Sequence, residues 1–203
     1  MPEIKPRFEF RTFAPDFGMV ASKLRQLAPC EKVRESSEIY IVSSTNNENN
    51  TKIRDALMDI KVFVQENQGL EQWNPRMKGT FPMLGSIIRD EVFPAFQVDM
   101  PQMKRDNYTL DQYLDELIRP HPQLVPVHVF KRRFAFTINS CITEIAELKI
   151  NGAAIQSVAV ESVDVAAILE AKTMLGLNEH PNVNYLRAIK AIVSLLPMPK
   201  HWY

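Results

Sequence analysis

The stretch VHVFKRRFAFTI, residues 127–138, sets the fold class of this chain. It is rich in β-branched and aromatic residues and reads as a long strand, 126–138. Alternate residues of a strand share a face. His128, Phe130, Arg132, Phe134, Phe136 and Ile138 therefore lie on one side, and Val129, Lys131, Arg133, Ala135 and Thr137 on the other. The aromatic side calls for cover by helices, with Arg132 snorkelling to water. The opposite side places two cations among small or polar neighbours, as the inner wall of a curved sheet would.

The same two-residue spacing recurs outward from there. RFEFRTF carries Arg7, Glu9 and Arg11 on one face, TKIR carries Lys52 and Arg54, and MDIKVFV carries Asp59 and Lys61. In strand 140–150, Glu144 shares its face with Ala146 and Leu148; in strand 154–161, Glu161 shares its face with Ala159. A single charged face on an antiparallel strand is usually just the solvated one. Its repetition, with an apolar face behind each time, points instead to a polar cavity. The inward set is Arg7, Glu9, Arg11, Lys52, Arg54, Asp59, Lys61, Lys131, Arg133, Glu144 and Glu161, with seven basic residues against four carboxylates. Arg and Lys in that excess suit a polyphosphate. The carboxylates would repel it unless Mg²⁺ or Mn²⁺ intervened, held by one or two of them together with phosphate oxygens and water.

The other elements fill in around this pattern. A first strand is expected over 4–13, then a helix over 17–28 capped by Asp16 and stopped by Pro29. EIYIVS (38–43) reads as a strand, TNNENN (45–50) as a polar loop, and 51–54 and 57–65 as further strands. GLEQWNPRMKGTFPM (69–83) is broken by Gly and Pro and has no clear period. Helices are expected over 86–97, kinked or ended by Pro94, and over 109–118, with Thr109 as N-cap. Asn151-Gly152 marks a hairpin between the last two strands. Ser162 is placed to cap a helix over 163–175, and another helix follows over 183–195. There is no repeat or linker, so residues 1–203 read as one α+β domain dominated by an antiparallel sheet.

Composition narrows the function. The 203 residues hold 24 Lys plus Arg and 24 Asp plus Glu, a net charge of zero that argues against a nucleic-acid-binding surface. Cys30 and Cys141 form no CxxC pair or secreted framework, which favours a reducing compartment. MPEIKPRFEF lacks the apolar run of a signal peptide, and no stretch approaches the roughly 20 apolar residues of a membrane span. A cytoplasmic protein without membrane partners is expected, its oligomeric state open with a homodimer among the options. His121, His128, His180 and His201 have no metal-ligand spacing. Trp73 is a candidate to cover the cavity mouth or stack on a base, and Lys78 a candidate for a further phosphate contact.

The ordered series RFEFR, KIR, DIK, FKRR, CITEIAELKING and SVAVES, followed by LGL and NYLRAIKAI, resembles the CYTH domain, or triphosphate tunnel metalloenzyme, superfamily over nearly the whole chain. That resemblance implies an eight-stranded antiparallel β-barrel with helices packed outside, acting on triphosphates with a divalent metal. Family members include inorganic, thiamine and RNA triphosphatases and a class of adenylate cyclases. The family's ExExK signature falls on Arg7, Glu9 and Arg11, with the first acid reversed in charge. Its basic positions fall on Lys52, Arg54, Lys61, Lys131 and Arg133, and Arg11 adds to this phosphate-binding set. Its metal-binding and catalytic carboxylates fall on Glu9, Glu144 and Glu161, while Ala146 and Ala159 replace acidic partners. The implied activity is a metal-dependent phosphohydrolase of inorganic triphosphate or a small organic triphosphate. A non-catalytic polyphosphate- or nucleotide-binding protein and a CYTH-type adenylate cyclase are the alternatives.

Overall fold

The computed structural model describes residues 6–202, so the part of the expected first strand before residue 6 lies outside the described residues. Ten strands form. They are β1 (Phe8–Ala14), β2 (Lys32–Ser43), β3 (Asn49–Arg54), β4 (Leu57–Asn67), β5 (Leu70–Thr80), β6 (Met83–Leu84), β7 (Asn107–Tyr108), β8 (Leu124–Ile138), β9 (Cys141–Ile150) and β10 (Ala153–Ser162). Eight of them close into an antiparallel barrel in the order β1-β10-β9-β8-β2-β3-β4-β5, and β6 and β7 pair separately. Closure comes from β5, where Phe8 pairs with Gln72 and Glu9 with Glu71. The irregular stretch 69–83 thus holds a full strand, bent by bulges beside Lys61 and Phe63 that obscure its alternation.

Register carries the alternation read from residues 127–138 right around the wall. Lys131 lies opposite Ser36 on β2 and Leu148 on β9, and Arg133 opposite Arg34 and Ala146. Glu144 lies opposite Ala159, which lies opposite Arg11. Partners across a ladder point the same way, so these side chains share the barrel interior.

Two apolar layers cover the outside. Helices α1 (Gly18–Leu27) and α5 (Val165–Leu175) set Val20, Leu24, Ile168, Ala171 and Leu175 against Phe10, Phe136, Ile138, Ile145 and Val160. On the far side, helical segments cover Ile41, Ile53, Met58 and Ile60. The first runs α2 (Gly85–Ile87), a π turn (Ile88–Val92) and α3 (Phe93–Phe96). The second runs α4 (Leu110–Tyr113) and a π turn (Leu114–Ile118). Pro94 neither ends nor sharply breaks its helix. The Phe93 N–H reaches back five residues to the Ile88 carbonyl, and this wider turn makes room for the proline ring. Thr109 caps α4 as expected, in a capping box with Gln112. Two other caps differ. Asp164, rather than Ser162, receives the Ala166 and Ala167 N–H groups, while Ser162 supports Asp164. Asp16 accepts from Gly18 N–H just outside α1, whose N-cap position is Phe17.

The last helix, α6 (Tyr185–Ile192), closes one half of the barrel interior. Tyr185, Leu186, Ala188 and Ile189 pack with Trp202 against the inward-facing Phe13, Tyr40, Val42, Val127, Val129, Leu148 and Ile155. Lys190 is fully buried, and its Nζ donates to the Ser44 and Asn46 carbonyls and to Asn47 Oδ1 at 2.9–3.2 Å. Lys190→Met would orphan these three oxygens, so a loss of about 2–3 kcal/mol in urea unfolding is expected. Among the described residues no helix is long and apolar enough to cross a membrane.

Candidate functional site

Above the α6 plug, the barrel keeps a cavity of about 200 Å³ lined by Glu9, Arg11, Tyr40, Asn50, Lys52, Lys61, Trp73, Lys131, Arg133, Glu144, Glu161, Asn184 and Tyr185. Its floor is tightly built. Tyr185 stacks on Tyr40 at 5.8 Å and meets Phe13 edge-on at 5.3 Å. Asn184 caps α6 through Arg187 N–H and donates to Glu71 Oε2 at 2.8 Å, and the same carboxylate accepts from Trp73 Nε1. Trp73 is thereby fixed in the wall, with Phe63 against its ring. The N-terminus of α6, where unpaired N–H groups leave partial positive charge, faces the cavity.

Of the phosphate-binding residues inferred from sequence, Arg11, Lys52, Lys61, Lys131 and Arg133 line the cavity. Arg54 does not; it sits beside them, half-buried, 3.7 Å from Glu38. Lys131 is buried deepest. Its ammonium is 2.9 Å from Glu38, donates to the Tyr40 hydroxyl at 2.7 Å and lies 3.7 Å from the Tyr185 ring centroid. Burial outweighs the Glu38 charge and pushes Lys131 down to about 8. Lys52 is 3.7 Å from Asp59, and burial lowers it as well. Lys61 and Arg133 have no ion-pair partner among the described residues. Arg133 Nη2 reaches Ser36 Oγ at 3.4 Å, while its buried Nε has no hydrogen-bond acceptor. Lys78, exposed and paired with Asp59 in the β4–β5 ladder, is outside the cavity lining.

The carboxylates are arranged differently from a metal site. Glu9 and Glu161 face each other across the β1–β10 ladder. Burial and the neighbouring Glu9 charge push Glu161 up, while Arg11 overcomes burial at Glu9 and pulls it down. Arg11 Nε is 2.5 Å from Glu9 Oε1 and its Nη1 is 3.6 Å from Glu144 Oε1, so the guanidinium lies between these two acids. Arg7 lies 3.8 Å from Glu161. Among the described residues no three His, Cys, Asp or Glu side chains come together as a metal-binding group. The donor set as arranged does not fit Mg²⁺ or Mn²⁺: Arg11 holds one oxygen of Glu9, lies against one of Glu144 and so stands between two of the acids that would have to converge on the ion.

Two inward acids escaped the sequence reading. Glu38 is buried at the wall behind Lys131, and Glu71 anchors α6. Both were legible in principle. Glu38 shares parity with Tyr40 and Val42 in EIYIVS, and Glu71 lies in a strand whose period the extra residue at Arg76 breaks. With them the inward carboxylates number six, so the bare cationic excess is smaller than the alternation suggested.

The same barrel occurs in solved structures. A conserved hypothetical protein from Pyrococcus furiosus aligns with a TM-score of 0.53 at 15% identity, over 89% of this chain and 98% of that one. HpAC1 from Hippeastrum, an adenylyl cyclase candidate with a dominant triphosphatase activity, aligns at 0.52 and 12%, over 94% and 98%. A candidate adenylate cyclase from Bacillus halodurans aligns at 0.52 and 10%, over 91% and 98%. At these identities the likeness is one of fold. No family model matches the chain, and no curated protein matches it in sequence. The closed eight-stranded antiparallel barrel with helices outside is the architecture implied by the CYTH resemblance.

Proposed function

We propose that this CYTH-fold barrel binds the triphosphate group of inorganic triphosphate or a small organic triphosphate. The observation that carries the reading is Arg133, which faces the cavity with no ion pair and a buried Nε that lacks an acceptor, beside Lys61, which makes no close ion pair although its charge acts on Glu9 and Glu161. A buried guanidinium N–H left unpaired is costly, and a phosphate oxygen is the acceptor its geometry favours. Lys52, Lys131 and Arg11 reinforce the positive potential, although each also serves a carboxylate. The closed floor at Tyr185 limits how much of the ligand can enter, which suits a compact terminal phosphate group. Calorimetric titration with tripolyphosphate tests this. Saturable binding that weakens steeply with added salt is expected, and no heat or protection at any ionic strength would remove the reading.

Phosphoanhydride hydrolysis is a second reading, favoured by the apposition of Glu9 and Glu161. Glu161, pushed up by burial and by Glu9, retains a proton well above the ordinary carboxylate range and stands at the cavity wall as a proton donor for a leaving phosphate oxygen. Phosphate release from tripolyphosphate, measured with Mg²⁺, with Mn²⁺ and with chelator, decides between holding and cleaving. Incubation with ATP and analysis of products separates both from a cyclase, which yields cyclic nucleotide and pyrophosphate.

A further inference from the structure

We propose that Arg11 is a built-in counter-cation that takes the place of a divalent metal between Glu9 and Glu144, so that the barrel receives its triphosphate as the metal-free polyanion. This rests on the triphosphate-binding reading and specifies the ionic form of the ligand. Arg7, the reversed first position of the ExExK signature, is not that cation: it is an exposed side chain at 3.8 Å from Glu161. Arg11 is the one enclosed. Its side chain is only 7% exposed and reaches Glu9 at 2.5 Å, Glu144 at 3.6 Å and Ser157 Oγ at 3.3 Å. Its guanidinium carbon lies 4.6 Å from the Tyr185 ring centroid.

The backbone of Arg11 is fixed too. Its N–H donates to Asn182 Oδ1 at 2.8 Å and its carbonyl accepts from Val183 N–H at 2.6 Å, tying it to the segment that leads into the α6 plug. With its backbone held, the guanidinium is enclosed between Glu9 and Glu144 and serves both acids at once. A divalent cation arriving with the ligand would meet Arg11 at the very acids it needs, and like charges at that range repel. A magnesium-complexed triphosphate also brings a water shell that asks for carboxylate acceptors. The free polyanion asks only for cations, which Lys61 and Arg133 offer outside any close ion pair.

The test is calorimetric titration of tripolyphosphate into the full chain, once with chelator and once with excess MgCl₂, repeated with Arg11→Gln and Arg11→Lys. The wild-type protein is expected to bind in chelator and to lose roughly tenfold or more of its apparent affinity as Mg²⁺ sequesters the ligand. Arg11→Gln frees Glu9 and Glu144, and its binding should become stronger with Mg²⁺ than with chelator. Arg11→Lys, which keeps a cation, should bind in chelator and provides the comparison if the glutamine variant does not fold. Wild-type binding that requires Mg²⁺ or Mn²⁺ would overturn the counter-cation and leave the triphosphate site standing. Absence of binding in both buffers would overturn the site and the counter-cation together.

Discussion

Arg133→Ala is expected to weaken tripolyphosphate binding by about ten- to a hundredfold, while Arg132→Ala leaves it within about twofold. The two residues are adjacent and carry the same charge, so composition cannot separate them. Parity does. Arg133 points into the barrel, where its Nη2 makes a 3.4 Å bond to Ser36 Oγ and its Nε is buried without an acceptor. Arg132 points outward at 48% side-chain exposure, 3.5 Å from Glu35 and 3.9 Å from Glu147, with the Phe134 ring beneath it. Exposed pairs of that kind contribute at most about 1 kcal/mol, and nothing to a ligand inside the barrel. A charge-assisted hydrogen bond to phosphate is worth about 1.5–3 kcal/mol, which is the expected loss at Arg133. Neither substitution should disturb folding, because Arg133 supports no carboxylate. Equal losses of affinity at the two positions would sink the assignment of faces.

Much of the wall was legible because a strand's period of two survives wherever one face is apolar and the other charged. Residues 127–138 show this in full: Phe134, Phe136 and Ile138 pack under α1 and α5, and Lys131 and Arg133 line the cavity. Lys52 of the 52/54 pair and Lys61 of the 59/61 pair landed in the same cavity with Glu9, Arg11, Glu144 and Glu161, while Arg7, Arg54 and Asp59 stand outside its lining. Barrel closure was not legible from alternation and came only through the family resemblance. β5 supplies the closing pairs, and the extra residue at Arg76 breaks the very period by which a strand is recognised.

The site's electrostatics were less legible than its walls. Counting inward charges gives no hint of which pair off. Glu38 was overlooked inside an otherwise apolar run, and it takes up Lys131. Arg11 appeared as one more phosphate ligand, yet its shortest ion pair is with Glu9. The helix expected over 183–195 carried no sign of its place, and its apolar face packs inside the barrel with Tyr185 as the cavity floor. An amphipathic pattern says that a face is buried but not against what.

Removing Lys131 should cost far more stability than removing Lys131 and Glu38 together. Lys131→Met leaves Glu38, 1% exposed at its side chain, with the Tyr40 and Ser36 hydroxyls and Arg54 at 3.7 Å but without its closest cation. An uncompensated buried charge of this kind costs about 3–5 kcal/mol. The double substitution Glu38→Gln with Lys131→Met leaves neither charge, and a net change of about 1 kcal/mol or less is expected. The pH dependence follows from the same pair. Burial pushes Glu38 up, but Lys131, Lys52 and the hydrogen bonds from Lys131 and Tyr40 outweigh it and bring it from 4.5 down to about 2. A carboxyl lowered on folding contributes stability above its unfolded value and loses it as acid protonates it. About 3 kcal/mol should therefore disappear between pH 4.5 and 2. Lys131, lowered from 10.5 to about 8, works the other way. Its charged form is disfavoured by burial below pH 8, and that cost is relieved as pH rises from 8 to 10.5. The paired deletion is mild because it removes the charge together with its counter-charge, whereas the single one leaves Glu38 buried without its closest cation. Urea unfolding of the four proteins at pH 7, and of wild type and Glu38→Gln from pH 5 to 2, measures both effects. A Lys131→Met protein within about 1 kcal/mol of wild type would show that Glu38 does not depend on this ammonium.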